Sequence, residues 1–404
     1  MRKFLLATTL ALVPGFSFAQ TFNVKSYGAA GDCVSDDSKY IAIAEKEAMR
    51  APQGVFPIVY FPAGCYVLGS NATLPMFTRP MGLKGDGQGK SYLFVQNTYV
   101  GDVISYSETW GTHNAPNSWS TPAVDFTKGF VMDLSIFSPR DATPPPADQN
   151  GIMLYDRNAA FLIQNVEIRY LHGKCLGIGA PKAVPQAWTI ESDFVNFRCY
   201  TSGPLNGDAT VDISSYTSSG SDASNELKFV NLDIFQAPGK GLQIRNPNNF
   251  SSTRLIDCVN CRVENSGDDN VTIGSSSDAG RVSNIHFVNL QSITPANGHY
   301  AVNLDTAGLP IYDLQIRGAV LGPCLGGTTC YGLNIGNVSS GRIEIGNMAV
   351  NGTAVTIQST MGTSVLLDGN GTERSWTYNF NGQQAKVRTI QGRCGDPTST
   401  TTPC

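Results

Sequence analysis

Charge is scarce in this chain. Only 15% of its 404 residues are Asp, Glu, Lys or Arg, and the formal net charge is −4. That excludes nucleic acid as a partner, because neutralising phosphates takes clustered Lys and Arg. Long apolar runs are missing as well. After the first 19 residues nothing approaches ~18 consecutive apolar residues, so no membrane-spanning helix is expected. Helical periodicity is absent between residues 150 and 360, where no segment repeats its apolar positions every 3.6 residues. One Cys-x-x-Cys, Cys258-Val259-Asn260-Cys261, has no second such pair to complete a zinc site, so a structural disulfide is expected there and no metal.

The ends of the chain are distinctive. Arg2 and Lys3, the apolar run Phe4 to Val13 and Ser17-Phe18-Ala19 form an export signal over residues 1–19. The protein is therefore expected to be secreted, or periplasmic in a bacterium, with Gln20 as its first residue. One β-rich catalytic domain is expected over 20–395, followed by a flexible tail over 396–404 that holds Pro397-Thr398-Ser399-Thr400-Thr401-Thr402-Pro403. The ten cysteines all follow the signal, as in a chain that folds under oxidising conditions. Cys324 with Cys330, Cys394 with Cys404, Cys33 with Cys65 and Cys175 with Cys199 are plausible pairings, with connectivity left open.

What the chain does have is an irregular repeat. Val271-Thr272-Ile273-Gly274 recurs with variation eight times, starting at Ile152, Leu176, Val211, Leu242, Val271, Val302, Leu333 and Val355, at intervals of 22 to 35 residues. Each copy is apolar–x–apolar, the alternation of a strand with one face buried. Further short strands lie between the copies, several entered through Asn, as in Gln164-Asn165-Val166, Val195-Asn196-Phe197, Val230-Asn231-Leu232 and Val288-Asn289-Leu290. Asn tolerates the left-handed backbone that a sharp bend needs, so one Asn bend per coil, stacked in a ladder, is expected. Coils of this length, with two or three strands and no helix, specify an all-β, right-handed parallel β-helix. Its open end needs a cover. Tyr40 to Met49, behind Ser35-Asp36-Asp37 and broken by Pro52 and Gly54, reads as a capping helix before the strand Ile58 to Phe61.

Within each rung the residues between and after the apolar pair point outward. Aligning the rungs brings Lys240, Asp268, Asp269, His299 and Tyr300 together at the rung entrances, with Asn303 on the face and Arg245 and Asp305 at its flanks. Gly267-Asp268-Asp269 is the focus. Two carboxyls at close range cannot both ionise cheaply, so one serves as an acid while the other activates water. Taken alone, a Gly-Asp pair merely shapes a turn; its neighbours argue for chemistry. Tyr106, Trp110, His113 and Trp119, in the insertion from Ser105 to Pro122, are candidates for a sugar-stacking lid. His172 and His286 read as structural.

Phe22 to Asp32, followed by Asp36-Asp37 and the helix, resembles the opening segment of pectate-lyase-superfamily proteins, which implies a β-helix acting on polysaccharide. In that signature Asp36 and Asp37 are a helix cap and a turn. Gly267 to Ile273 resembles the Asp-Asp-Cys segment of the polygalacturonase family of glycoside hydrolases, and Gly298-His299-Tyr300 resembles that family's Gly-His-Gly. The resemblance implies an inverting hydrolase in which Asp268 donates the proton and Asp269 helps hold water. Two departures matter. Gly239-Lys240-Gly241 replaces the family's Asn-Thr-Asp-Gly, and the Arg-x-Lys pair expected near Asn334 and Gly336 is absent. They speak against pectin, and Asp305 becomes the candidate third carboxylate.

The expected function is thus a secreted, monomeric glycoside hydrolase, cofactor-free, binding its polysaccharide through Lys240, Arg245, His299, Tyr300 and Asn303. Two rivals stand beside it. A lyase would use Lys240 or Arg245 as base on a uronate, with Ca²⁺ held by the aspartates. A non-catalytic glycan-binding solenoid would use Asp268 and Asp269 only as a turn.

Overall fold

The computed structural model describes residues 18–52, 55–69, 74–108, 129–139, 149–179, 186–217, 224–247, 252–275, 280–305, 309–324, 328–350, 355–357, 364–369, 378–379 and 388–390. Over these the chain winds as a parallel β-solenoid with one helix near its start. All eight rungs stack in the expected register. Ile152 pairs with Leu176, then Val211, Leu242, Val271, Val302, Leu333 and Val355 in succession. From Ile152 to Val355 the described inward residues of the rungs are buried, as Val271 and Ile273 illustrate. Burying one such side chain is worth ~1.5–3 kcal/mol, so the alternation alone fixes which face turns inward. A further rung, Gly101–Glu108, precedes them, with Ile104 opposite Ile152. It carries the same apolar–x–apolar pattern, but a long stretch of sequence separates it from Ile152 and hides the repeat.

Two more faces complete each coil. Ser252–Val259 lies between Asn225–Val230 and Arg281–Val288, while Arg262–Glu264 lies between Asp233–Phe235 and Gln291–Ile293. The bend between these faces falls at Asn. Asn165, Asn196, Asn231, Asn260 and Asn289 all have φ between 52° and 57°. Each amide of the last four donates to the carbonyl of the one before it, at 2.9, 2.9, 3.4 and 3.1 Å. The ladder therefore fixes both the turn and the stacking of coils.

The capping helix runs Ser38–Met49, two residues longer at its start than the sequence suggested. Asp36 and Asp37 are structural. Asp36 Oδ1 accepts from Ser38 N at 3.0 Å, and buried Asp37 accepts from Ala30 N at 2.6 Å and Gly31 N at 3.2 Å. Ile41, Ala44 and Ala48 face the core, and so does Glu45, whose carboxyl is pushed well above the usual range by burial.

Disulfides join Cys33 to Cys65, Cys258 to Cys261 and Cys324 to Cys330. Cys175 and Cys199, a pairing the sequence left open, are not disulfide-bonded. Both are buried free thiols inside the solenoid. No helix among the described residues is long and apolar enough to cross a membrane. Residues 1–17 of the expected signal, Trp110, His113, Trp119, Cys394, Cys404 and the 396–404 tail lie outside the described residues. Phe18–Asn23, which spans the expected cleavage point, pairs with Val55–Phe61. Tyr106, proposed for the lid, is instead 3% exposed and packs between Phe77 and Phe161, because its place in the rung points it inward.

Candidate functional site

The Gly267-Asp268-Asp269 turn forms where the chain passes close to the rung before it. Gly267 N donates to Ala237 O at 2.8 Å, and a Cβ at 267 would stand 2.1 Å from the Pro238 carbonyl oxygen. Only glycine fits. Asp268 Oδ1 accepts from Asp269 N at 2.6 Å, so Asp268 does shape the turn, as the bland reading held. It also receives His299 Nδ1 at 2.7 Å from the next rung, with Asp269 Oδ1 3.5 Å from the same nitrogen.

The two carboxyls stand in different surroundings. The Asp268 side chain is 27% exposed, that of Asp269 only 7%. Asp269 Oδ1 accepts from Tyr300 N at 2.8 Å and Oδ2 from the Asn303 amide at 2.6 Å. Asn303 in turn accepts from the Asn334 amide at 2.7 Å. Burial raises the Asp269 pKa above the usual carboxylate range, opposed by the bonds from Tyr300 and Asn303 and helped by the charge of Asp268.

Asp268, Asp269, His299, Tyr300 and Asn303 are thus brought together as expected. Lys240 stands in register one rung before Asp269, linked by Gly241 N to Asp269 O at 3.2 Å. Among the described residues, however, the ion-pair partner of Asp268 and Asp269 is His299. Tyr300 contributes its backbone N–H to Asp269, while its ring lies 5.1 Å from that of Tyr331 on the following rung. Asp305 follows the strand Tyr300–Leu304 and is half-buried, outside hydrogen-bond contact with Asp268 or Asp269. Arg245 is placed elsewhere: it faces Asp212, which also bonds Lys174.

The outward row is also less open than expected. Met153, Asp212, Gln243, Thr272 and Asn334 are all nearly buried. Rungs ~4.8 Å apart let side chains of one row lie on each other, and long residues from the flanking rows fold over them. Lys174, Asp212, Tyr331 and Asn334 were missed as site residues. Lys174 precedes its rung by the same two residues as Lys240 and Asp269 precede theirs, a signal that the alignment contained.

Asp268, Asp269 and His299 offer three ligand atoms within 4.8 Å of one another. A nitrogen among three donors does not match the all-oxygen set that calcium takes, and these donors already hydrogen-bond to each other. The calcium reading names Asp305 as its third ligand, and Asp305 is not part of this group.

Residues 21–195 match the family described as rhamnogalacturonase A/epimerase, pectate lyase-like. That segment is similar to pectate-lyase-like proteins. The match ends before the rungs that carry Asp268, Asp269 and His299, so it speaks for the fold and not for this cluster. No curated protein sequence matches the chain. Among solved structures, ORF18 of Geobacillus virus E2 is similar with a TM-score of 0.55 and 14% identity, covering 88% of this chain. The chain spans only 62% of that protein's length. The A-module of the mannuronan C-5 epimerase AlgE6 of Azotobacter vinelandii gives a TM-score of 0.48 at 14% identity, covering 92% of this chain and 100% of that one. The catalytic domain of a GH87 alpha-1,3-glucanase gives 0.38 at 12%, covering 94% and 69%. At 14% identity the likeness to the viral ORF18 is one of fold.

Proposed function

We propose that the protein is a secreted polysaccharide-acting enzyme, and that it is a glycoside hydrolase with Asp268 as proton donor. The observation that carries this reading is the pairing of a buried carboxyl, Asp269, with a half-exposed one, Asp268, at a single histidine nitrogen. Because burial resists ionisation of Asp269, the pair keeps a proton in a pH range where two ordinary carboxylates keep none. Asp268 is the member that reaches solvent, so it passes the proton to the glycosidic oxygen.

Asp268 and Asp269 cannot be the two opposed groups of an inverting pair. Their oxygens lie within 4.8 Å, whereas that geometry needs ~6.5–9.5 Å to admit water. The opposing base is assigned to Asp305. It lies two residues beyond Asn303, just past the end of the strand, a step of roughly 6.6 Å along extended chain, and Asn303 touches Asp269. Asp269 then acts from beneath as the charge-sharing partner and not as the water holder. His299 and Lys240 bind hydroxyls or acidic groups of the glycan, and the tilted rings of Tyr300 and Tyr331 offer a stacking surface beside them.

A second reading, proton abstraction beside a uronate carboxylate, is favoured by one observation. Asp268 holds His299 through Nδ1, which leaves Nε2 as the basic nitrogen. Incubation with a glycan panel separates the two, with reducing ends and the ultraviolet absorbance of unsaturated products followed together. New reducing ends without new absorbance, and an inverted anomer by NMR, support the hydrolase. Absorbance rising with chain scission replaces it with the lyase.

A further inference from the structure

A second charged cluster lies on the outward side of the same sheet, nearer the N-terminal end. Lys174, Asp212 and Arg245 come from three successive rungs, those of Leu176, Val211 and Leu242. Lys174 Nζ bonds Asp212 Oδ2, and Arg245 Nε stands 3.7 Å from Asp212 Oδ1. The Asp212 side chain is 2% exposed, against 16% for Lys174 and 24% for Arg245. Two cations on one anion leave surplus positive charge, with the anion hidden and the cations reaching the surface.

The cluster is poorly explained as packing. Among the described residues, Asp212 Oδ1 and Arg245 Nε are both buried without a hydrogen-bond partner, and 3.7 Å is too long for a bond between them. A buried ion group with unmet bonds is often no better for stability than apolar side chains of similar size. This face accepts such a side chain: Met153 occupies the register position of Asp212 two rungs earlier. The charges serve something other than the core.

Their position suggests what. Asp212, Gln243, Thr272 and Asn303 stand in register on four consecutive rungs. This polar row, itself nearly buried beneath the surface, runs from the cluster to Asn303, which bonds Asp269. Asp212 and Asn303 are three rung steps apart, about 14 Å at ~4.8 Å per step.

We propose that Lys174 and Arg245, positioned by Asp212, form a subsite for an anionic substituent, a carboxylate or a sulfate, on a glycan that runs along the solenoid axis into the Asp268–Asp269 site. The inference rests on the glycan reading above and adds to it the charge class of the substrate.

The test is binding, measured apart from turnover. Full-length protein carrying Asp268→Asn is run by affinity electrophoresis against polygalacturonate, alginate, a sulfated galactan and neutral dextran or xylan. It is compared with the same protein carrying Arg245→Gln, or Lys174→Gln and Arg245→Gln together with Asp212→Asn. The second combination removes charge without leaving a buried unpaired carboxylate, and thermal melts check that each variant folds. The expected result is retention on an anionic glycan that weakens at least ~10-fold in both variants, while any retention on neutral glycans is unchanged. Retention on the uronates or on the sulfated galactan identifies the substituent. The proposal is overturned if no anionic glycan is retained, if the variants bind like the parent, or if neutral glycans are lost equally. Anionic binding through these residues, with no glycan cleaved by the unmodified protein, upholds the subsite while the hydrolase reading falls.

Discussion

Asp269 is a carboxyl whose neutral form the fold favours, and this sets the direction of its pH effects. A group with a raised folded pKa contributes stability that is present below the ordinary carboxylate range and lost as pH rises through the raised value. On the hydrolase reading, kcat/KM should fall over the same rise, as the pair gives up its last proton. Asn303→Leu removes a bond that favours the charged form, so the alkaline limb should move to higher pH; an unmoved limb would detach Asp269 from the chemistry. Asp268→Asn should lower kcat by ~10²–10⁴-fold with an unchanged melting temperature, measured on whichever glycan is cleaved. Rung alignment made the meeting of Asp268, Asp269, His299, Tyr300 and Asn303 legible, because register places backbones. It could not show that Tyr300 offers its N–H or that Arg245 turns to Asp212. Those depend on side-chain directions, which spacing does not fix.

At the scale of elements, the asparagine ladder and the capping helix carry the sharpest expectations. Asn231→Ala removes two ladder bonds and puts a Cβ residue without a compensating side chain in the left-handed region, a loss of about 1–3 kcal/mol in denaturant unfolding. Asn231→Gly keeps the backbone choice open and should cost less; an equal loss would mean the bend is not what Asn provides. Glu45 is buried in the helix that closes the solenoid, with its pKa raised by desolvation. Its contribution is full below the ordinary carboxylate range and vanishes as pH rises through the folded value. Glu45→Gln should therefore match the parent in melting temperature under acid conditions and exceed it in mildly alkaline buffer. The rungs and bends were legible because each depends on a short local pattern. The Gly101–Glu108 rung was not, since recognising it depends on a spacing that the intervening sequence stretches.

The molecule as a whole is a stack in which each coil contacts the coils beside it, and its chemistry is expected at one point along that stack. The mixed donors of Asp268, Asp269 and His299 predict that a chelator leaves glycan cleavage unchanged. A loss reversed by added Ca²⁺ would restore the lyase with its calcium ligands. The registered rungs have one more consequence. They act as a ruler: the interval between the Lys174–Arg245 cations and the Asp268 carboxyl is a whole number of strand spacings. Arg245 and Asp268 stand on adjacent rungs, so a chain lengthened by one coil between them would read a longer interval along its glycan, cutting at a new distance from the charged substituent and in a step no smaller than one rung.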